Sequence, residues 1–197
     1  MFKLFQAGAI HGNAAAMSNL GMVYTNGLVV PQDFAKAREW LEKAAAKDFA
    51  PAMYNLGLLY YSGHGVPQDS AKASEWMEKA ATKDSALAMV FLGALYEHGE
   101  GVAQDYAKAR DWFEKAAAED DARAMYNLGL LYYGGHGVPQ DYAMAREWYE
   151  KAAAQGDADA KKALEQLSGH RSGQHAPSAQ LPNRKLPDAR THVHGAR

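Results

Sequence analysis

Apolar residues recur along the chain at spacings typical of paired helices. In a representative stretch, one pattern places four residues at i, i+3, i+4 and i+7, on a single helical face: Met53, Leu56, Gly57 and Tyr60. After a short break, a second pattern follows with the same spacing: Ala73, Trp76, Met77 and Ala80. Asp69 precedes the second pattern, and its carboxylate can accept hydrogen bonds from the free amides of a first helical turn. The pattern predicts two helices joined by a turn.

This helical pair recurs every 36 residues. Residues 54–81 and 126–153 are identical at 23 of 28 positions. The same step separates the members of several sets, including tryptophans, tyrosines and aspartates: Trp40, Trp76, Trp112 and Trp148; Tyr24, Tyr60, Tyr96 and Tyr132; Asp33, Asp69, Asp105 and Asp141. A fixed period of this length indicates a stacked array, in which each repeat buries its apolar face against its neighbours. The repeats are numbered 1 to 4 after the four tryptophans.

The turn inside each repeat has a recurring sequence. GHGVPQD occurs at 63–69 and again, unchanged, in repeat 4. We expect Gly63 and Gly65 to adopt positive φ and end the first helix, and Pro67 to hold Val66 extended before the cap. Repeat 3 has GEGVAQD at this place, so the turn does not need its histidine. The stretch is therefore interpreted as a connector in which the histidine alone has no structural role.

A second joint links each repeat to the next. Glycine or aspartate occupies it at the same 36-residue step: Gly12, Asp48, Asp84, Asp120 and Gly156. Both residue types suit a turn, and glycine adopts it with less strain.

The repeat AMYNLGLLYYSGHGVPQDSAKASEWMEKAA closely resembles the Sel1-like repeat, a relative of the tetratricopeptide repeat. The resemblance covers about residues 1–163. It implies an all-α fold, a right-handed α/α superhelical solenoid of helix-turn-helix repeats. Loop geometry is expected to vary where the chain departs from the family pattern: Val29 for the second loop glycine, Met144 for a lysine, and Asp48, Asp84 and Asp120 for a glycine.

Three segments are predicted along the chain. Residues 1–11 form a partial repeat with the second helix only, residues 12–167 form about four repeats with a capping helix, and residues 168–197 form a disordered tail. The partial repeat leaves apolar side chains partly exposed, and weak self-association is predicted through them: Phe2, Leu4 and Phe5.

Composition limits the classes of function. The absence of cysteine excludes disulfides, thiolate metal sites and cysteine nucleophiles. The net charge is −2, and residues 1–167 hold 22 acidic against 16 basic side chains, which argues against nucleic-acid binding. No apolar run approaches the roughly 20 residues needed to span a bilayer. The compartment stays open, with the cytoplasm favoured over the periplasm or secretion because the apolar run near the N-terminus is short.

The sequence contains no recognisable catalytic or cofactor motif. The loop glycines lack the third glycine of a dinucleotide fingerprint and the Gly-Lys-Ser/Thr of a P-loop. Ser-x-x-Lys, Lys-Thr-Gly, His-Glu-x-x-His and Gly-x-Ser-x-Gly are all absent. A metal-binding row of His64, Glu100 and His136 would be widely spaced, so these residues are interpreted as solvated loop positions. We therefore predict no enzymatic activity, no cofactor and no metal. The alternatives are a cell-wall-related hydrolase, because some relatives of this repeat have been called β-lactamases, and a self-assembling structural element.

The resemblance also implies where a partner would bind. In tetratricopeptide-like arrays, the side of the first helix that faces away from its partner helix lines a concave groove. Several of the groove residues predicted on this basis are tyrosines, which offer contact area and a hydroxyl at little entropic cost. The predicted groove residues are Met22, Tyr54, Leu58, Tyr61, Val90, Glu97, His98, Tyr126, Leu130 and Tyr133. The alternative is that these tyrosines pack between neighbouring helices.

The predicted function is a non-catalytic scaffold or adaptor for a protein or peptide partner. The resemblance implies roles in complex assembly, signalling and, in bacteria, host or envelope interactions. A suitable ligand is an extended or helical peptide that carries an apolar anchor and a Lys or Arg.

Overall fold

The computed structural model describes residues 1–169, and this part of the chain folds into ten α-helices without a strand. The all-α repeat fold is confirmed. A leading helix opens each repeat: α2 (Ala14–Asn26), α4 (Ala50–Ser62), α6 (Ala86–His98) and α8 (Ala122–Gly134). A trailing helix follows it: α3 (Phe34–Ala45), α5 (Ser70–Ala81), α7 (Tyr106–Ala118) and α9 (Tyr142–Ala154). The first and last helices are α1 (Phe2–Ile10) and α10 (Ala158–Gly169). The predicted disordered tail begins at residue 168, but Ser168 and Gly169 belong to α10, and the rest of the tail lies outside the described residues.

The described residues form two compact units. The first contains Met1–Ala88 with the loop Glu100–Ala103, and the second contains Met89–Gly99 with the described residues from Gln104 onward. Within the first unit, α1 packs on α2, α2 on α3, α3 on α4 and α4 on α5. Within the second, α7 packs on α8, α8 on α9 and α9 on α10. The predicted helix pairs of repeats 1, 2 and 4 are present among these packings, and in repeat 3 Gly93 of α6 faces Phe113 of α7.

A glycine in each leading helix sets the distance to its trailing helix. In repeat 3, a Cβ placed on Gly93 would lie 2.4 Å from Cε1 of Phe113, well inside van der Waals contact. The same register position is glycine in the other repeats, and the trailing side chain that faces it is fully buried in every case: Leu41, Met77, Phe113 and Tyr149. The missing Cβ lets these large side chains lie directly on the leading helix backbone, which is the dense packing expected of a protein interior.

The trailing helices begin at the predicted aspartates. Oδ1 of Asp69 accepts a hydrogen bond from the backbone amide of Lys72 at 2.9 Å, and repeats 1 and 3 have the same contact. Nζ of Lys72 lies 3.7 Å from the Asp69 carboxylate and 5.5 Å from the centroid of the Tyr60 ring. One lysine thus links the cap to the leading helix through an ion pair and a cation–π contact. In repeat 4, Met144 supplies no cation, but Asp141 still caps two backbone amides.

The turn inside each repeat is held by its glutamine. Nε2 of Gln68 donates a hydrogen bond to the carbonyl oxygen of Tyr61, at the end of α4. The contact recurs at 2.7–2.8 Å in the other repeats: Gln32 to Thr25, Gln104 to Glu97 and Gln140 to Tyr133. This amide satisfies one of the carbonyls that a helix end leaves without a partner.

The glycines of the same turn adopt the left-handed conformation that the sequence predicts. Gly63 has φ 71° and Gly65 has φ 74°. A Cβ on Gly65 would lie 2.3 Å from Cβ of Phe34, so the second loop glycine also allows close contact with the preceding repeat. Val29 stands at this register position in repeat 1 and is largely exposed, so the departure from glycine creates no clash there.

The second joint holds its aspartates in a strained conformation. Asp48, Asp84 and Asp120 have φ of 58°, 60° and 58°, whereas Gly12 and Gly156 reach 82° and 90°. Left-handed backbone costs an ordinary L-residue about 1–2 kcal/mol, and less for aspartate. The expectation that glycine fits this joint with less strain is consistent with these angles.

Gly93→Ala is expected to lower the free energy of unfolding by about 1–3 kcal/mol, because the added methyl overpacks against Phe113. Thermal unfolding followed by circular dichroism would measure the loss. Gly93→Ala in a Phe113→Ala background is the matched control, since the added methyl should cost less once the facing ring is removed. An unchanged melting temperature for the single variant would contradict the packing argument.

Asp84→Ala is expected to destabilise the protein by about 1 kcal/mol, whereas Asp84→Gly should match or exceed the wild type, because only glycine adopts positive φ without a Cβ penalty. Urea denaturation of the two variants side by side would check this. Equal stability of the alanine and glycine variants would show that the joint relaxes to another conformation.

Candidate partner-binding surface

The leading helices carry almost no charge. Across α2, α4, α6 and α8, the charged side chains are Glu97 and Arg123, with His98 as a further titratable group. Arg123 is already paired with Asp121, with 3.1 Å between Nε and Oδ1. Each trailing helix, in contrast, carries both acidic and basic residues. All ten predicted groove residues lie on the leading helices, which therefore present the less polar of the two surfaces.

Three of the predicted groove residues lie in the interior. Tyr54 is 3% exposed, Leu58 is 1% exposed and Tyr126 is fully buried. Tyr126 packs against Tyr149 of the trailing helix, with ring centroids 5.6 Å apart. For Tyr54 and Tyr126, this burial agrees with the alternative that the tyrosines pack between neighbouring helices, and Leu58 is enclosed as well. A partner cannot reach these three side chains, so the candidate binding surface consists of the other seven predicted residues.

The accessible predicted residues fall into two groups. The first compact unit contributes Met22 and Tyr61, and the second contributes the others: Val90, Glu97, His98, Leu130 and Tyr133. We call this second set the unit-two surface. Its members lie on one face of α6, at i, i+7 and i+8, and on one face of α8, at i and i+3.

Tyr61 is tied to a loop residue that the sequence analysis left as solvated. Its hydroxyl donates a hydrogen bond of 2.7 Å to Oε2 of Glu100. Burial, followed by this hydrogen bond, raises the pKa of the Tyr61 phenol, so the hydroxyl keeps its proton at physiological pH. The Tyr61 ring remains half-exposed, but its hydroxyl already forms a hydrogen bond with Glu100.

The loop histidines also have structural partners. The His64 ring stacks on Phe34, with centroids 4.8 Å apart and planes 7° apart, and Nδ1 lies 2.9 Å from Oγ of Ser62. His136 stacks on Tyr106 at 5.1 Å. The prediction that the loop histidine has no structural role is therefore wrong. Each imidazole packs on the first residue of the trailing helix one repeat earlier.

Loop and helix residues are matched across this contact. Where the trailing helix begins with an aromatic residue, the loop has histidine. Where it begins with Ser70, which has no ring to stack on, the loop has Glu100, and the carboxylate accepts the phenol of Tyr61 instead. This correspondence between loop and helix residues is present in the sequence. It can be recognised only when the contact between residues 30 positions apart is known.

Glu97 has a different environment from the tyrosines at its register position. Its half-buried carboxylate receives no hydrogen bond and forms no ion pair within residues 1–169. Burial raises the pKa of this carboxyl, and the nearby His98 and His136 act in the opposite direction. The carboxylate is thus the one acidic group on the leading helices, flanked by two imidazoles within the second compact unit.

A group of tyrosines lies beside and beneath the unit-two surface. The rings of Tyr133 and Tyr142 meet edge to face, with centroids 5.4 Å apart. Tyr149 lies beneath Tyr126, and its buried hydroxyl has no hydrogen-bond partner among the described residues. Burial raises the pKa of both Tyr133 and Tyr149. Phe113 occupies the position of Tyr149 in repeat 3, so the packing itself does not need the hydroxyl.

Sequence reasoning missed a contact that recurs on the trailing helices. A lysine ammonium lies over each tryptophan three residues earlier, 4.1–4.4 Å from the ring centroid: Lys43 over Trp40, Lys79 over Trp76, Lys115 over Trp112 and Lys151 over Trp148. The i, i+3 spacing of the two residue types predicts this contact on a helix. The ammonium covers one face of each half-buried ring.

Other predicted features have definite places in the structure. Phe2 packs edge to face on Tyr24 at 6.3 Å and Phe5 is half-buried, while Leu4 is 75% exposed. Self-association through these residues stays a prediction. The described residues include no group of three or more His, Asp or Glu side chains placed to hold a metal ion. Among the described helices, none has the length and apolar character to cross a bilayer.

The Sel1 repeat family model matches four consecutive stretches, residues 14–49, 50–85, 86–121 and 122–157. The chain belongs to the Sel1 repeat family. This confirms the resemblance drawn from the sequence pattern. Sel1 repeats typically mediate protein–protein interactions.

Solved structures share this repeat fold. One is c5321, a protective antigen of uropathogenic Escherichia coli strains, which is 38% identical over 87% of this chain with a TM-score of 0.82. Another is a Sel1 repeat protein from Oxalobacter formigenes, 32% identical over 84% of this chain with a TM-score of 0.79. The alignments span 37% of the antigen and 68% of the Oxalobacter protein. No curated protein matches the chain.

Tyr149→Phe is expected to raise the free energy of unfolding by about 1 kcal/mol, because it removes a buried hydroxyl without a partner and keeps the ring. Chemical denaturation of the two proteins would measure the gain. Tyr142→Phe, at an exposed position, should leave the stability unchanged and serves as the control. A loss of stability in Tyr149→Phe would show that the hydroxyl has a partner in solution.

Proposed function

We propose that this Sel1 repeat protein is a non-catalytic scaffold that binds a protein or peptide partner on its leading helices, along the concave groove that the family resemblance implies. The partner-binding role is typical of the family. The accessible groove residues are the seven described above, and the proposal places the main contacts on the unit-two surface.

The observation that carries the proposal is the chemical division between the two helix sets. The leading helices hold eight tyrosines, few charges and half-exposed apolar side chains such as Val90 and Leu130. The trailing helices carry lysines and glutamates, which keep that surface hydrated and cover the tryptophans. Apolar and aromatic surface left accessible beside a charged surface is typical of a protein-binding site.

The accessible tyrosines suit recognition for a physical reason. Tyr133 has its ring held by Tyr142 before any partner arrives, so little side-chain entropy remains to be lost on binding. A held aromatic ring that offers both contact area and a hydroxyl is the type of residue found at binding hot spots.

A site-specific photo-crosslinker would test this placement in the cells that naturally make the protein. Benzoylphenylalanine at Tyr133, on α8, is expected to trap a partner as a discrete covalent adduct. The matched control places the same group at the exposed Glu147, on the trailing helix of the same repeat. Adducts formed at Glu147 but not at Tyr133 would place the partner on the trailing helices and overturn the proposal.

A further inference from the structure

We propose that Glu97 recognises a positive charge: the partner segment bound on the unit-two surface presents a Lys or Arg to this carboxylate, with apolar side chains packed on Val90, Leu130 and Tyr133. This inference rests on the proposed partner-binding function and specifies the chemistry of the ligand.

The Glu97 carboxylate lacks the partners that a half-buried charge requires. No described side chain forms a hydrogen bond or an ion pair with it. The other charged side chain of the leading helices, Arg123, is occupied by Asp121. An ionised carboxylate that is partly removed from water without a partner is unfavourable, so the group gains most from a cation supplied by a ligand.

The fold does not need an acid at this position. The same register holds Thr25, Tyr61 and Tyr133 in the other repeats, and the backbone carbonyl of each accepts the loop glutamine just as that of Glu97 does. A neutral side chain at residue 97 would therefore preserve the turn. The carboxylate is the feature that distinguishes repeat 3 on this surface.

Two imidazoles lie near Glu97. His98 follows it on α6, and His136 comes from the loop of repeat 4, where its ring stacks on Tyr106. A Lys or Arg of the ligand would bring a full positive charge to the carboxylate beside them.

Lower pH should weaken the binding of a basic ligand, because protonation removes the negative charge of Glu97. Burial raises the pKa of Glu97, so this carboxyl takes up a proton at higher pH than an ordinary glutamate does. Affinity should therefore fall as the pH is lowered.

Selection of a random peptide library displayed on phage against the full chain provides the test. On the wild type, we expect enriched peptides to carry Lys or Arg within an apolar stretch. In a selection against Glu97→Gln, which keeps the shape of the side chain and removes its charge, peptides with a basic residue should no longer be enriched. Glu165→Gln, an exposed change on α10 of the same compact unit, is the matched control and should retain it.

Synthetic copies of the enriched peptides allow the effect to be measured. We expect Glu97→Gln to bind them about tenfold more weakly than the wild type, as loss of a charge-assisted contact implies. Wild-type affinity should fall by a similar factor when the pH is lowered far enough to protonate the Glu97 carboxyl, while Glu97→Gln shows a smaller change. Thermal unfolding of Glu97→Gln should match or exceed the wild type, because the variant removes an unpaired carboxylate.

The outcomes separate this inference from the function on which it rests. Peptides that bind at Tyr133 but show no basic preference, or keep it in Glu97→Gln, would overturn the role of Glu97 and leave the partner-binding surface standing. Peptides that do not compete with the Tyr133 crosslink, or a library that yields no binder, would count against the surface and the inference together.

Discussion

The close contact between the two helices of each repeat is the constraint on which the rest of the structure depends. Gly93 and its counterparts allow a fully buried side chain of the trailing helix to lie on the leading helix backbone. Dense packing at this point fixes the separation of the two helices and therefore the direction of every side chain on their outer faces. The face of the leading helix that packs on the trailing helix has no room for a ligand. Only the opposite face is therefore available as a binding surface.

The packing also explains why charge is so unevenly divided. The trailing helices have wet faces on which lysine, glutamate and the tryptophan-covering ammonium groups are stable. The leading helices contact their own trailing helix, and their tyrosines fill spaces between helices, as Tyr126 does. Charge is costly in such places unless it is paired. Arg123 is paired with Asp121, whereas Glu97 has no ion-pair partner among the described residues. This difference is why we infer that a ligand supplies a cation to Glu97.

The turns contribute more than a change of direction. Their glycines, glutamines and aspartates end one helix and begin the next, while the residue between the two glycines reaches back to the preceding repeat. Three different pairs make this contact: His64 stacks on Phe34, Glu100 accepts a hydrogen bond from Tyr61, and His136 stacks on Tyr106. The same loops lie beside the candidate binding residues. Substitutions there would alter both the packing of the repeats and the setting of Tyr61 and Glu97.

The sequence by itself determined the repeat length, the helix pairs, the capping aspartates and the left-handed glycines, because each depends on local chemistry that recurs every 36 residues. It also predicted that every candidate groove residue lies on the first helix of its repeat, where the structure has it. It could not decide that Tyr54 and Tyr126 are enclosed while Tyr133 stays accessible, since Tyr126 and Tyr133 lie seven residues apart on the same helical face. That decision, like the stacking of His64 on Phe34, depends on residues of other helices. Only the packing of one helix against another brings those residues together.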